Sequence, residues 1–282
     1  MAEDQIPSAK KRKSAAAKPT APSRSATALS AKAERPATIA KPKAAPKRPG
    51  AITYSSAEIR ALFERFKTAN PEPKGELEHT NPFTLVVAVA LSAQATDVSV
   101  NKATRELFRL ADTPAKMVAL GESRVSDLIK TIGLFRTKAK NVIALSRMLL
   151  DRFHGEVPRT REELVQLPGV GQKTANVVLN TAFGQSTIAV DTHIFRLANR
   201  LGIAPGRTPA AVEKTLEAII PDEFKRDSHH WLILHGRYIC KARAPDCSHC
   251  VIADLCKYPD KTNEVAYWPK AASRGPMAGT PA

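Results

Sequence analysis

Leu167-Pro168-Gly169-Val170-Gly171-Gln172-Lys173-Thr174-Ala175-Asn176-Val177-Val178-Leu179 is the stretch on which the reading of this chain turns. Leu164 and Leu167 close a short apolar turn, and Pro168 stops it. Gly169-Val170-Gly171 then reads as a hairpin tight enough to require residues without a Cβ. A second helix follows, with Val177, Val178 and Ala182 expected on one side, Lys173, Asn176 and Asn180 on the other, and Gly184 at its end. Two helices joined through a glycine hairpin leave backbone N–H groups free at a helix N-terminus, where a phosphate binds readily. Lys173 stands in the first turn of that helix, where the positive dipole end disfavours an ammonium and so favours a nucleophilic amine. Downstream, Val190-Asp191-Thr192-His193 opens another helix with a carboxylate at its cap. The same residues also suit a plain helix-hairpin-helix binding element, in which Lys173 pairs with a phosphate and Asp191 only caps. A P-loop does not fit, because no Gly directly precedes Lys173.

Outward from the hairpin the pattern is helical throughout. Thr160 and Glu163 form a capping box that leads into it, and shorter helices are expected to start near Thr113, Glu122 and Thr137. Between two of these lies Lys130-Thr131-Ile132-Gly133-Leu134-Phe135-Arg136, where the residues alone suggest that Leu134 and Phe135 are buried. Asn81-Pro82 is a cap followed by proline at the first helical position. The run Phe83 to Leu91 is apolar on every side, which predicts a buried central helix ending in the polar stretch Ser92 to Asp97. Asp97 is expected to start a helix carrying Val98, Val100, Ala103 and Leu107. Nearer the N-terminus, Ser55 and Glu58 make a capping box ahead of an apolar face of Ile59, Leu62, Phe63 and Phe66. Beyond the hairpin, helices are expected at 192–201, closed by Gly202, at 208–219 and at 224–239. No strand pattern emerges, so the fold class is all-α.

The length, 282 residues, allows two domains with ample core. The net charge of +16 is uneven: residues 1–50 hold twelve Lys and Arg against three Asp and Glu, with seven Pro and no aromatic residue. Such a segment buries too little apolar surface to offset the entropy of ordering, so 1–52 reads as a disordered basic arm whose partner is a polyanion. Early acidic residues and the lack of an apolar leader core argue against a secretory signal, and no apolar run reaches membrane-spanning length.

All four cysteines fall at 240–256, as Cys240, Cys247, Cys250 and Cys256 in a C-x6-C-x2-C-x5-C pattern. Clustered cysteines in a chain without a secretory signal point to metal rather than to disulfides. Four thiolates suit zinc or a four-iron cluster, and spacing separates the two only weakly. Lys241 and Arg243 fall on the loop between Cys240 and Cys247, placed for phosphate contact.

Together, 167–176, Val190 to His193, Leu91 to Asp97 and the cysteine spacing resemble the endonuclease III family of DNA glycosylase/lyases, over about residues 53–260. The resemblance implies two helical domains with a DNA lesion bound between them: a six-helix barrel at about 75–185, and a second domain from 53–74 and 186–261; the long basic arm and a disordered tail at 262–282 depart from the family pattern. It implies a [4Fe-4S] cluster on the four cysteines, Lys173 as nucleophile and Asp191 as its acidic partner. Gln94 and Leu134 would fill the duplex where a nucleotide has left, Ser92 and Asp97 would flank the lesion pocket, and Gly169 and Gly171 would present phosphate-binding amides. The implied protein is a bacterial cytoplasmic, nucleoid-associated monomer that acts on double-stranded DNA with damaged bases or abasic sites. The rivals on the same residues are a binding module without catalysis, a monofunctional adenine glycosylase, which would lack Lys173, and a pyrimidine-dimer or mismatch glycosylase.

The basic arm makes a prediction of its own. If 1–50 contacts DNA, a chain starting at Ala51 will show a shallower dependence of log affinity on log salt than the full chain, because fewer counterions are released. Equal slopes would remove the arm from the interface.

Overall fold

The computed structural model describes residues 52–262; the basic arm and the tail, but for Ile52 and Thr262, lie outside the described residues. The helices are Ser56–Ala69 (α1), Pro82–Leu91 (α2), Asp97–Leu110 (α3), Pro114–Leu120 (α4), Glu122–Leu128 (α5), Phe135–Phe153 (α6), Arg161–Leu164 (α7), Gln172–Phe183 (α8), Thr192–Leu201 (α9), Pro209–Ile219 (α10) and Asp222–Leu234 (α11), the last running on into a π-helical turn, His235–Ile239. There is no strand among the described residues.

Capping chemistry sets most of these boundaries. Ser55 Oγ accepts from the Glu58 N–H, and the Glu58 carboxylate accepts from the Ser55 N–H at 2.7 Å. Asn81 and Thr84 exchange the same pair of bonds at the head of α2, with Pro82 in the first turn. Thr113 and Thr208 cap α4 and α10 and each is followed by proline. Gly184 and Gly202 end α8 and α9 at φ of +66° and +80°, a left-handed conformation that glycine adopts freely.

Two apolar cores result. The first is built around α2, whose Val86, Val87, Ala88 and Leu91 are wholly enclosed, as an all-round apolar helix must be. Leu107 of α3, Val125 of α5, Leu145 and Leu149 of α6, and Val178 of α8 close over it. The second gathers Leu62 and Phe63 of α1, Ile194 and Leu197 of α9, Leu216 of α10, and Phe224 and Trp231 of α11. Here the N-terminal helix packs on C-terminal ones, and Trp231 Nε1 donates to Asn70 O at 2.8 Å. Each fully buried Leu or Phe contributes roughly 1.5–3 kcal/mol.

Several expectations are corrected. Val98 points away from the core at 80% exposed, because Val100, Thr104 and Leu107 already supply the buried stripe of α3. Asn176 and Asn180 are buried at 0% and 4%, on the packed side of α8 rather than its outer side. Their amides are bonded inward: Asn180 Nδ2 reaches Gln185 O, Thr187 O and Arg226 O at 2.8–3.2 Å, and Asn176 Nδ2 donates to Glu213 Oε1 at 2.8 Å. Helix α6 begins at Phe135, two residues before the expected start. The last long helix begins at Asp222 and changes to π geometry at His235.

Asn180→Ala would leave three carbonyls without their shared donor, two of them in the segment joining the cores. The expected loss is about 2–3 kcal/mol of stability, measured as a lowered midpoint in thermal or denaturant unfolding. An unchanged midpoint would show that water replaces the amide without cost.

Candidate active site

Helix α8 turns Lys173, Val177 and Thr181, one helical turn apart, towards a cavity of ≈ 700 Å³. Ser92 and Asp97 at the end of α2 and start of α3 line it, as do Asp191, His229 and Arg237 from the second core. Lys173 is exposed in the first turn of α8. Asp191 caps α9: its Oδ1 accepts from the His193 and Ile194 N–H groups, each at 2.8 Å. Close packing fixes that cap, since a Cβ on Gly236 would lie 2.9 Å from His193 O. The structure brings Lys173, Asp191, Ser92 and Asp97 together in one cavity wall.

Arg237, Glu76, His229 and His230 also line this wall, and the sequence alone does not single them out. Arg237 Nη1 donates to Asp97 Oδ2 at 2.6 Å and also pairs with Glu76. Burial opposes its charge, yet the two carboxylates outweigh that and raise its pKa. Asp97 is thus engaged within the protein, joining α3 to the π-helical turn. Ser92 Oγ likewise donates within the chain, to Val89 O at 2.8 Å. His229 is 3% exposed, and its Nδ1 has no hydrogen-bond partner. Burial first, then the nearby His230 and Lys173, push its pKa down to about 3, so it is a neutral imidazole across the working pH range. The paired histidines stand directly before the apolar run Trp231 to Leu234, on a helix that packs into the second core, which is the signal that could have found them.

Gln94 and Leu134 meet at a second cavity, of ≈ 550 Å³, together with Gly169, Lys138 and Asn141. Both are in the left-handed region, at φ of +56° and +59°, and Leu134 is 65% exposed. The residue-only expectation of a buried Leu134 is wrong, and Phe135 is only half-buried. A non-glycine residue in this conformation costs about 1 kcal/mol or more, and such strain concentrates at functional sites. Gly169, at φ +80°, is constrained twice, because a Cβ there would also lie 3.1 Å from Asn141 Nδ2. Gly171 is not: its φ of −98° suits any residue, and a Cβ would meet nothing within 4 Å. Its lack of a side chain leaves the head of α8 open.

The four cysteines are free and line a common cavity of ≈ 370 Å³. Burial, reinforced by the facing thiols, pushes Cys250 up to about 12 and raises Cys256. Four cysteines around a shared void fit a multinuclear cationic group, whose charge would favour their thiolates. Arg200 braces the loop beside them. Its Nη1 donates to Cys240 Sγ at 3.3 Å and to Lys241 O at 2.7 Å, and its Nη2 to Ala242 O at 3.0 Å. Lys241 and Arg243 are exposed on that loop, away from both other cavities.

Comparison with known proteins gives this arrangement a class. Residues 87–222 match the family of HhH-GPD superfamily base excision DNA repair proteins, and residues 240–256, with all four cysteines, match the iron-sulfur binding domain of endonuclease III. The chain is 57% identical over 202 residues to endonuclease III of Escherichia coli (strain K12), covering 72% of this chain and 96% of that protein. With endonuclease III of Treponema pallidum (strain Nichols) the identity is 58% over 198 residues, covering 70% and 94%. A trapped endonuclease III–DNA covalent intermediate, an estranged-adenine complex, matches with a TM-score of 0.68 at 45% identity, over 73% of this chain and 97% of that one. A non-covalent endonuclease III–DNA complex matches with a TM-score of 0.68 at 46% identity over the same shares. Fold and site define a helix-hairpin-helix protein of base excision DNA repair. Within that superfamily the chain belongs to the endonuclease III family. It is a DNA glycosylase with abasic-site lyase activity, and its cofactor is a [4Fe-4S] cluster.

The purified protein should therefore carry about four iron atoms per chain and absorb in the visible. Cys247→Ser should lose the iron and weaken DNA binding while the first core stays helical. Zinc in place of iron by elemental analysis would contradict the assignment.

Proposed function

We propose that this chain removes damaged, oxidised pyrimidines from double-stranded DNA and then cuts the abasic strand by β-elimination through a Schiff base on Lys173. One observation carries the reading: Lys173 from the first core and Asp191 from the second line the same ≈ 700 Å³ cavity. Both come from one chain, so a monomer suffices. In this reading 75–185 is the barrel lobe, and 53–74 with 186–261 is the cluster lobe.

A base inside a duplex is out of reach, so the nucleotide is first turned out of the stack, at a cost of a few kcal/mol. Gln94 and Leu134, strained and exposed on neighbouring turns, fill the void. Phosphates are held by the open N–H groups of Gly169 and of Gly171 to Lys173, the Val170 N–H being taken by Leu167 O at 3.0 Å, and by Lys241 and Arg243. The amine of Lys173 attacks the sugar C1′, and the damaged base leaves with the electrons of the glycosidic bond and takes up a proton. Asp191 stabilises the positive charge growing at C1′, takes a proton from the attacking amine and passes it to O4′ as the C1′–O4′ bond breaks, which opens the sugar and leaves the protonated imine. The imine makes the 2′ proton acidic; its removal expels the 3′ phosphate, and water then releases Lys173. The [4Fe-4S] cluster on Cys240, Cys247, Cys250 and Cys256 supplies a cross-link that orders the Lys241–Arg243 loop for DNA.

Asp191→Asn keeps a capping oxygen and removes the charge. Thermal stability should change little, while base release slows by about 10²-fold or more. Lys173→Gln should bind lesion duplex yet give no strand scission. A panel of duplexes with single lesions fixes the range; equal inactivity on every oxidised pyrimidine would overturn the substrate assignment.

A further inference from the structure

Lys138 has no part in the mechanism above, yet it is 7% exposed, and no other lysine or arginine among the described residues is buried. It stands one turn into α6. Its backbone N–H donates to Leu134 O at 3.0 Å, and its ammonium crosses to α2, donating to Leu91 O at 2.9 Å and Ala93 O at 2.7 Å. Both acceptors are carbonyls at the end of α2, where a helix lacks internal donors and its dipole favours a cation. Ala93 immediately precedes Gln94. One residue thus holds the Leu134 turn by its main chain and the Gln94 turn by its side chain. No carboxylate within salt-bridge distance offsets its burial, and burial pushes its pKa down. An apolar side chain of the same length would fill this space without burying a charge, so the bonds it makes are the reason for a lysine here.

We propose that Lys138 is a positioning residue for the repair reaction: its ammonium fixes the Gln94 turn against the Leu134 turn, so that both side chains enter the duplex at one set separation. This rests on the reading of Gln94 and Leu134 as the residues that fill the vacated stack. The geometry around it agrees. Lys138 lines the ≈ 550 Å³ cavity between those two residues. One turn further along α6, Asn141 backs Gly169 of the hairpin, so a single face of α6 supports all three DNA-facing turns. Two residues with positive φ have no intrinsic reason to hold that conformation together, and the Lys138 bonds supply it.

The test uses the full, cluster-loaded protein with Lys138→Met, Lys138→Arg, Leu134→Ala and Gln94→Ala. Two substrates are compared: an oxidised pyrimidine in a paired duplex, and an abasic site in single-stranded DNA, where no stack needs filling. 2-Aminopurine beside the lesion reports insertion directly. Lys138→Met should lower kcat/KM on the paired lesion about tenfold or more, reduce the 2-aminopurine signal, and change single-strand cleavage less than about twofold. Lys138→Arg, which keeps donors for both carbonyls, should recover most of the loss. Adding Lys138→Met to Leu134→Ala should cost less than the separate losses combined, because the brace no longer has a wedge to hold. Equal losses on both substrates would make Lys138 a structural residue and overturn the proposal. So would normal duplex activity of Lys138→Met alongside impaired Leu134→Ala and Gln94→Ala. If Leu134→Ala and Gln94→Ala are themselves unimpaired, it is the void-filling reading that fails. Should Lys138→Met not fold, Lys138→Gln, with one donor group left for the two carbonyls, carries the same comparison.

Discussion

Two carboxamides inside α8 hold the segment on which the whole site depends. Asn180 Nδ2 reaches the carbonyls of Gln185 and Thr187, Asn176 Nδ2 that of Ile188 at 3.4 Å, and Thr187 Oγ1 returns a bond to the backbone Asn176 O at 2.6 Å. That segment carries the chain out of the first core and delivers Asp191 to the head of α9 in the second. Lys173 sits at one end of α8, and the anchored crossover leaves its other end. The relation between amine and carboxylate is therefore set by bonds buried within the protein, before any substrate arrives. Preorganisation of this kind lowers a barrier without reorganisation during the reaction.

The charges around the cavity are sorted by the same means. His229 is kept neutral by burial and by Lys173 nearby, while Arg237 is kept charged by Asp97 and Glu76. Internal pairing of Asp97 removes a free carboxylate from the wall that a phosphate-bearing ligand would approach. On the proposed mechanism this leaves Asp191, with a single oxygen used in capping, as the carboxylate facing the reacting sugar.

Much of this was legible in the sequence because it is local. Caps such as Ser55, Asn81 and Asp191 act over three residues, and the apolar faces of α1 and α9 follow one period. The cysteine cluster is local in sequence too, although zinc and iron were separated only by the family resemblance. What was not legible depends on partners distant in the chain. Polarity alone points Asn176 and Asn180 outward, but Glu213, Arg226 and the crossover take up the N–H groups of both amides from within. Hydrophobicity alone points Leu134 inward, yet its turn leaves it exposed in a left-handed conformation. Lys138 falls in register with buried Val142, Leu145 and Leu149, a cation on an apolar stripe, and only the end of α2 explains it.

The central claim is that Lys173 is the nucleophile and Asp191 its partner across one cavity. The most direct measurement is reduction with borohydride during turnover on a lesion duplex, followed by mass spectrometry of the linked peptide. The account predicts a covalent protein–DNA adduct at Lys173, formed more slowly by Asp191→Asn and absent from Lys173→Gln. An adduct at another amine, or one that forms undiminished in Lys173→Gln, would contradict it.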